Sequence, residues 1–249
     1  MPDGAATRLT KRTAAATRSQ PIISCDIICS MGGMLMPTDI PADDFKDYGQ
    51  FRKPTGTTGL DVVNGMNRSH YDLTTWGLAH VRVQPQDTLL DIGCGGGITV
   101  ERLAVLAPEG TVYGADHSND CVQWSKERNR TAIANGRVHI RQASVEQLPF
   151  DNAFFDKVFA VETVYFWPNL PQNFAEVARI TKPGGQFVII HEAYACERFR
   201  DRNRETEAKC RMHIPSPEEA VSGLEQAGFS KVDVDTLEDR NWMCCMATR

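Results

Sequence analysis

The chain reads as an α/β protein. The expected architecture is one mostly parallel, Rossmann-like sheet of seven strands, helices on both faces, and an antiparallel C-terminal hairpin. Three observations lead there. Residues 89–97, Leu-Leu-Asp-Ile-Gly-Cys-Gly-Gly-Gly, form an apolar run that ends in glycines and opens a helical pattern at Ile98. Strand-like and helix-like segments then alternate as far as His191, as parallel strands joined by right-handed crossovers require. The last two strand-like runs, 231–237 and 242–247, are joined by Glu238-Asp239-Arg240-Asn241, a hairpin-like connection.

Each element has its own local reason. After a Gly/Pro/Thr-rich connector at 53–59, Val62, Met66, Leu73, Trp76 and Leu78 fall at helical spacing, with a break near Ser69. The first strand, around Leu89–Ile92, follows Pro85 and Asp87. A second strand at 112–115 precedes a helix at 119–134, which Ser118 or Asn119 can cap. Strands at 138–141 and 156–161 follow, then a helix at 170–180 that Pro183-Gly184-Gly185 ends before a fifth strand at 187–191. The Arg- and Glu-rich stretch 197–210 predicts a helix over the top of the sheet. Ser216 caps the next helix with Pro217 at its first position, and Gly228 closes it.

Composition bounds the function. With 249 residues, 41% of them hydrophobic, the chain can bury one sizeable core. A net charge of −5 weighs against nucleic acid held through phosphate contacts. No apolar run reaches the length of a membrane span, so a cytoplasmic protein is expected. Among the eight cysteines, Cys25 and Cys29 and the adjacent Cys244 and Cys245 lack the histidine pair that would complete a zinc site. Reduced thiols and no metal are expected. Residues 1–45 are expected to be a disordered or non-native extension that adds nothing to the fold. The stretch 4–25 has no acid but contains Arg8, Lys11, Arg12 and Arg18, so a targeting segment is the alternative there. Residues 46–249 form one domain, with a helical lid at about 60–83.

The glycine turn narrows the ligand. Gly93-x-Gly95-x-Gly97, with Ile98 next, misses the spacing of the dinucleotide fingerprint. Asp91, placed just before the glycines, suits an ammonium group better than a pyrophosphate. This D-x-G-x-G-x-G pattern after a strand resembles motif I of class I S-adenosylmethionine (SAM) dependent methyltransferases. Three further segments are similar to marks of that family: Gln147-Leu148-Pro149-Phe150, Lys182-Pro183-Gly184-Gly185 and Ala227-Gly228-Phe229. The resemblance covers about 60–249 and is nearest to the ubiquinone/menaquinone and sterol methyltransferase group.

The resemblance implies SAM as cofactor and assigns residues to it. Asp91 would support the ammonium group, with Gly93, Cys94, Gly95 and Gly97 against the methionine half. Asp116, at the end of the second strand, would accept from both ribose hydroxyls, and His117 would flank the adenosine. Ser144 and Val145 stand where relatives often carry an adenine-binding acid, and Glu162 would lie beneath the sulfonium.

Methyl transfer by in-line displacement needs an aligned acceptor, and a base only where the acceptor does not ionise by itself. The candidate bases are His70 on the lid, Tyr165 after the fourth strand, and His191 and Glu192 at the end of the fifth. Strand alternation lets only one of His191 and Glu192 face the pocket. Tyr165, Phe166 and Trp167 could wall an apolar or planar substrate. The short segment 193–215 suits a small-molecule acceptor, and a homodimer is compatible with this reading. The alternatives are a non-catalytic SAM-binding regulatory protein and a nicotinamide-dependent oxidoreductase, the latter opposed by the glycine spacing.

Overall fold

The computed structural model describes the backbone of Arg8–Arg12 and all of residues 48–249. Its strands are β1 (Arg8–Arg12), β2 (Thr88–Ile92), β3 (Thr111–Asp116), β4 (Val138–Gln142), β5 (Phe155–Val161), β6 (Thr181–His191), β7 (Lys231–Leu237) and β8 (Trp242–Thr248). They form one sheet in the order β1-β7-β8-β6-β5-β2-β3-β4. All neighbours are parallel except β8, which runs antiparallel to both β6 and β7.

All seven expected strands are present. The eighth, β1, pairs parallel with β7, Arg8 opposite Asp233 and Arg12 opposite Leu237. The expectation that residues 1–45 add nothing to the fold is therefore corrected at this edge strand. Its reason is the free edge of β7, whose backbone groups are available for pairing. The rest of that stretch lies outside the described residues, including the possible targeting signal and Cys25 and Cys29.

The helices are α1 (Gly49–Arg52), α2 (Gly56–Ser69), α3 (Tyr71–Leu78), α4 (Ile98–Leu106), α5 (Asn119–Arg128), α6 (Arg130–Ala134), α7 (Leu170–Ile180), α8 (Arg200–Cys210) and α9 (Pro217–Gln226). Both sheet faces are covered, which is why β2, β5 and β6 are apolar on successive residues rather than alternating. One core holds Phe155, Phe174, Val177, Phe187, Leu224 and Phe229, under α7 and α9. The other holds Leu73, Leu78, Val100, Leu103, Phe159 and Ile190, under α3 and α4. Each such side chain contributes about 1.5–3 kcal/mol on burial.

Local chemistry sets the helix ends. Ser118 caps α5 by accepting from Cys121 N–H, and Ser216 and Glu219 form a reciprocal capping box at α9. The lid breaks at His70, one residue past the expected Ser69. The helix expected over 119–134 is two helices. Its interruption, Asn129, is buried and donates its side-chain amide to Gly97 O (3.0 Å) and Ser125 O (2.9 Å), tying the glycine turn to α5. β6 starts at Thr181, ahead of the expected 187, with a register shift against β5 that absorbs Lys182-Pro183-Gly184-Gly185. A Cβ on Gly77 would lie 2.5 Å from Ile190 Cδ1, so only glycine lets α3 settle on β6 here. Among the described residues no helix is long and apolar enough to cross a membrane.

Candidate active site

The strand order reverses direction at β2, between β3 and β5. A ligand in an open α/β sheet sits beyond the carboxyl ends of the strands at such a switch point. A cleft opens there, floored by the glycine turn and roofed by α2 and the start of α3. It contains Asp91, Gly93, Cys94, Gly95, Asp116, His117, Ser144, Val145, Glu162 and His70, ten of the fourteen residues expected at the site.

The turn between β2 and α4 is shaped for close approach. Gly95 has φ +50°, and a Cβ there would project into open space rather than against the protein. Gly93 closes the other side, since a Cβ on it would fall 2.3 Å from Thr163 Oγ1 at the end of β5. The Cys94 side chain turns into the core toward Ser125 Oγ (3.8 Å), which leaves its backbone at the cleft. Gly97 is corrected to a packing residue. It is not on the cleft, and its φ of +81° starts α4 where a Cβ would meet Ser125 Oγ at 2.4 Å.

Two acids face each other across this turn. Asp91 is buried, and its Oδ1 has no hydrogen-bond partner. Burial, and then the charge of Asp116, raise its carboxyl well above the usual range. Asp116 Oδ2 accepts from Gly95 N–H (2.9 Å) and Oδ1 from Ser118 N–H (2.8 Å). Burial raises this carboxyl too, against the pull of those two donors. His117 is half-exposed, with Nδ1 3.7 Å from Asp116 Oδ1.

After β4, Ser144 is engaged with its neighbour. Its hydroxyl donates to Glu146 Oε2 (3.1 Å) and accepts from Glu146 N–H (3.2 Å). Glu146 lines the cleft and was missed in the sequence, where an acid was sought only at the strand end itself. Its signal was there, two residues on. Asn67, Arg102 and Thr163 also line the cleft.

Three groups from distant stretches gather at the cleft and beside it. Glu162 ends β5 in a left-handed conformation, φ +59°. Its Oε1 accepts from the Tyr165 hydroxyl (3.2 Å) and from Glu192 N–H. Its Oε2 lies 3.9 Å from His70 Nε2, which is itself 3.5 Å from Glu192 Oε1. Burial and then the charge of Glu192 raise the Glu162 carboxyl to about 8, although His70 pulls the other way. Burial alone would lower the His70 imidazole, but Glu192 and then Glu162 override it and raise it to about 9. Phe51, Met66, Phe166 and Trp167 are among the residues that wall the cleft.

Two candidate bases are displaced by the structure. His191 points away from the cleft, as strand alternation permits for only one of the pair. It is fully buried, stacked on the Tyr165 ring at 4.0 Å, and neither ring nitrogen has a partner. Burial lowers its imidazole to about 3, so it stays neutral. Tyr165 is buried beneath the cleft, and burial, with the charge of Glu162, raises its hydroxyl well above the usual value. Its hydroxyl donates to Glu162 Oε1, and it is not among the residues lining the cleft. Glu192 reaches the cluster from β6 but is half-exposed beside the cleft.

Residues 90–189 match the family described as methyltransferase domain. Over that stretch the chain resembles class I methyltransferases. It is 30% identical over 164 residues to a 27-O-demethylrifamycin SV methyltransferase of Amycolatopsis mediterranei, covering 63% of this chain and 60% of that protein. It is 28% identical over 123 residues to a demethylmenaquinone methyltransferase of Symbiobacterium thermophilum, covering 49% of each. The domain thus spans about half to three fifths of the length of these relatives. A solved geranyl diphosphate methyltransferase in complex with SAM has the same fold, at TM-score 0.63 and 18% identity over 82% of this chain and 95% of that one.

SAM is the cofactor of such domains, and the residues present fit it. The orphaned Asp91 Oδ1 would accept from an ammonium group, and burial makes an unpaired carboxylate costly there. The open space over Gly95 is the volume that a side chain would fill. Asp116 keeps a free lone pair on each oxygen for a pair of hydroxyls.

Proposed function

We propose that this chain transfers the methyl group of SAM to an ionisable atom of a small-molecule acceptor by in-line displacement. One observation carries the reading. The acid-and-glycine cradle, His70 and Glu162 line a single cleft with aromatic side chains among its walls, and Glu192 stands beside it within 3.5 Å of His70.

When bound, SAM supplies an electrophilic methyl group on a sulfonium. Asp91 and the Gly95 backbone orient the amino-acid half, Asp116 the ribose, and Ser144, Val145 and Glu146 the adenine edge. Phe51, Met66, Phe166 and Trp167 exclude water from the acceptor and hold it flat. Alignment of this kind can supply roughly 7–11 kcal/mol of the barrier. Where the acceptor does not ionise by itself, Glu192, whose carboxyl His70 holds low against its burial, is the member of the cluster that takes the proton, a contribution on the order of 10²–10⁴-fold. Tyr165 holds Glu162 Oε1, which leaves Oε2 toward His70 and the cleft. A net charge of −5 and the modest cleft favour a metabolite over nucleic acid.

The test is calorimetric titration with SAM and S-adenosylhomocysteine, with NADH as control, followed by transfer of labelled methyl to a panel of phenols, quinols and amines. Binding of both sulfur ligands with transfer to one acceptor class supports the reading. Binding without transfer to any of them favours a regulatory SAM-binding protein, and binding of NADH alone overturns the cofactor assignment.

A further inference from the structure

We propose that His70, Glu162 and Glu192 form a divalent-cation site at the reaction end of the cleft. Among the described residues they make up a group of metal-ligating side chains whose ligand atoms all lie within 4.8 Å of one another. The spacing leaves room for a bridging ion among the three. His70 Nε2 is 3.5 Å from Glu192 Oε1 and 3.9 Å from Glu162 Oε2, both beyond an ordinary N–H···O bond. Ligands held at about 2.0–2.2 Å from one ion stand about 3.0–4.2 Å from each other, between the right-angle and opposed arrangements.

The supports are arranged as a metal site needs them. Glu162 Oε1 is occupied by the Tyr165 hydroxyl and by Glu192 N–H, so Oε2 is the oxygen turned toward His70. Outer partners of this kind orient a ligating carboxylate. The three ligands come from three elements: the α2–α3 junction and the ends of β5 and β6. His70 and Glu162 line the cleft, so coordination positions remain for an acceptor. One imidazole and two carboxylates suit a first-row cation of borderline to hard character, Mn²⁺, Fe²⁺ or Zn²⁺.

The site stands on this geometry. Its part in methyl transfer rests on the function proposed above and narrows the acceptor to a hydroxyl whose oxygen coordinates the cation. Coordination lowers the hydroxyl's pKa, so the O–H proton leaves to solvent instead of to the cluster. The oxygen anion then forms the new bond to carbon as the sulfonium–carbon bond breaks.

The probe is Mn²⁺, titrated into the full-length protein with the free ion counted by electron paramagnetic resonance. Titration of S-adenosylhomocysteine into the same samples checks the fold. One Mn²⁺ per chain is expected, with affinity reduced by more than about tenfold in Glu192→Gln and in His70→Gln, while S-adenosylhomocysteine affinity holds. No stoichiometric binding overturns the site, and so does binding that neither substitution weakens. Methyl transfer indifferent to Mn²⁺ and to chelator, with the site intact, overturns only its catalytic part. Failure to bind S-adenosylhomocysteine at all overturns the functional reading and leaves the Mn²⁺ result to judge the site.

Discussion

The backbone N–H of Gly95 donates to Asp116 Oδ2 at 2.9 Å, so one carboxylate both closes the glycine turn and faces the cleft. The link joins the ends of β2 and β3, adjacent strands in parallel register from Thr88 opposite Thr111 to Ile92 opposite Ala115. Asp91, by contrast, keeps an unpartnered oxygen beside the same turn. Under the proposed function the two acids would serve different halves of one ligand, and three small ligands can separate them.

Asp116→Ala is expected to weaken SAM, S-adenosylhomocysteine and 5′-methylthioadenosine alike, because all three carry the ribose. Hydrogen bonds to a charged group are worth about 1.5–3 kcal/mol, or roughly 10–100-fold in affinity. Calorimetric titration reads this directly. Unequal losses among the three ligands would contradict the ribose assignment.

Asp91→Asn is expected to weaken SAM and S-adenosylhomocysteine by about tenfold or more and to leave 5′-methylthioadenosine, which lacks the amino-acid half, unaffected. The ligand-free variant should also melt higher than the parent. The substitution removes a buried carboxylate that has no counter-charge while keeping the side chain's volume. Differential scanning calorimetry of the ligand-free protein checks the second half.

Two neighbouring glycines should fail in different ways. Gly95→Ala places a methyl in open cleft space and should cost cofactor affinity more than stability. Gly97→Ala drives a methyl to 2.4 Å from Ser125 Oγ at φ +81° and should cost roughly 1–3 kcal/mol of stability. Urea unfolding and S-adenosylhomocysteine titration, run on both variants, should reverse their ranking.

His191→Phe should leave methyl transfer within about twofold and raise stability, because each unsatisfied buried polar atom costs about 1–3 kcal/mol. It should also flatten one limb of the stability profile. The folded imidazole is lowered to about 3 while the unfolded one keeps about 6.5. Between those values the unfolded chain binds the extra proton, so stability rises with pH by up to about 1.4 kcal/mol per unit, then levels off. Denaturant midpoints from pH 4 to 8 should show that slope in the parent and not in the variant. A large loss of turnover in His191→Phe would restore His191 as a catalytic candidate.

Features that depend on neighbours along the chain are legible before any fold is known. The apolar runs that make β2, β5 and β6, the positive φ at Gly93, Gly95 and Gly97, and the Ser118 and Ser216 caps are all local. So is the order of strands and helices that places Asp91 and Asp116 at the switch point. Which residues meet across the fold is set by the folded arrangement. It chose Glu192 over His191 for the cluster, because register and burial against Tyr165 turn His191 to the other face. It broke the helix at Asn129 to serve Gly97, and set Arg8–Arg12 along a free edge of β7. It brought His70, Glu162 and Glu192 together from stretches that no spacing rule connects. The reason is physical: local propensity acts over a few residues, whereas a site is assembled by strand order, register and the seat of the lid on β6.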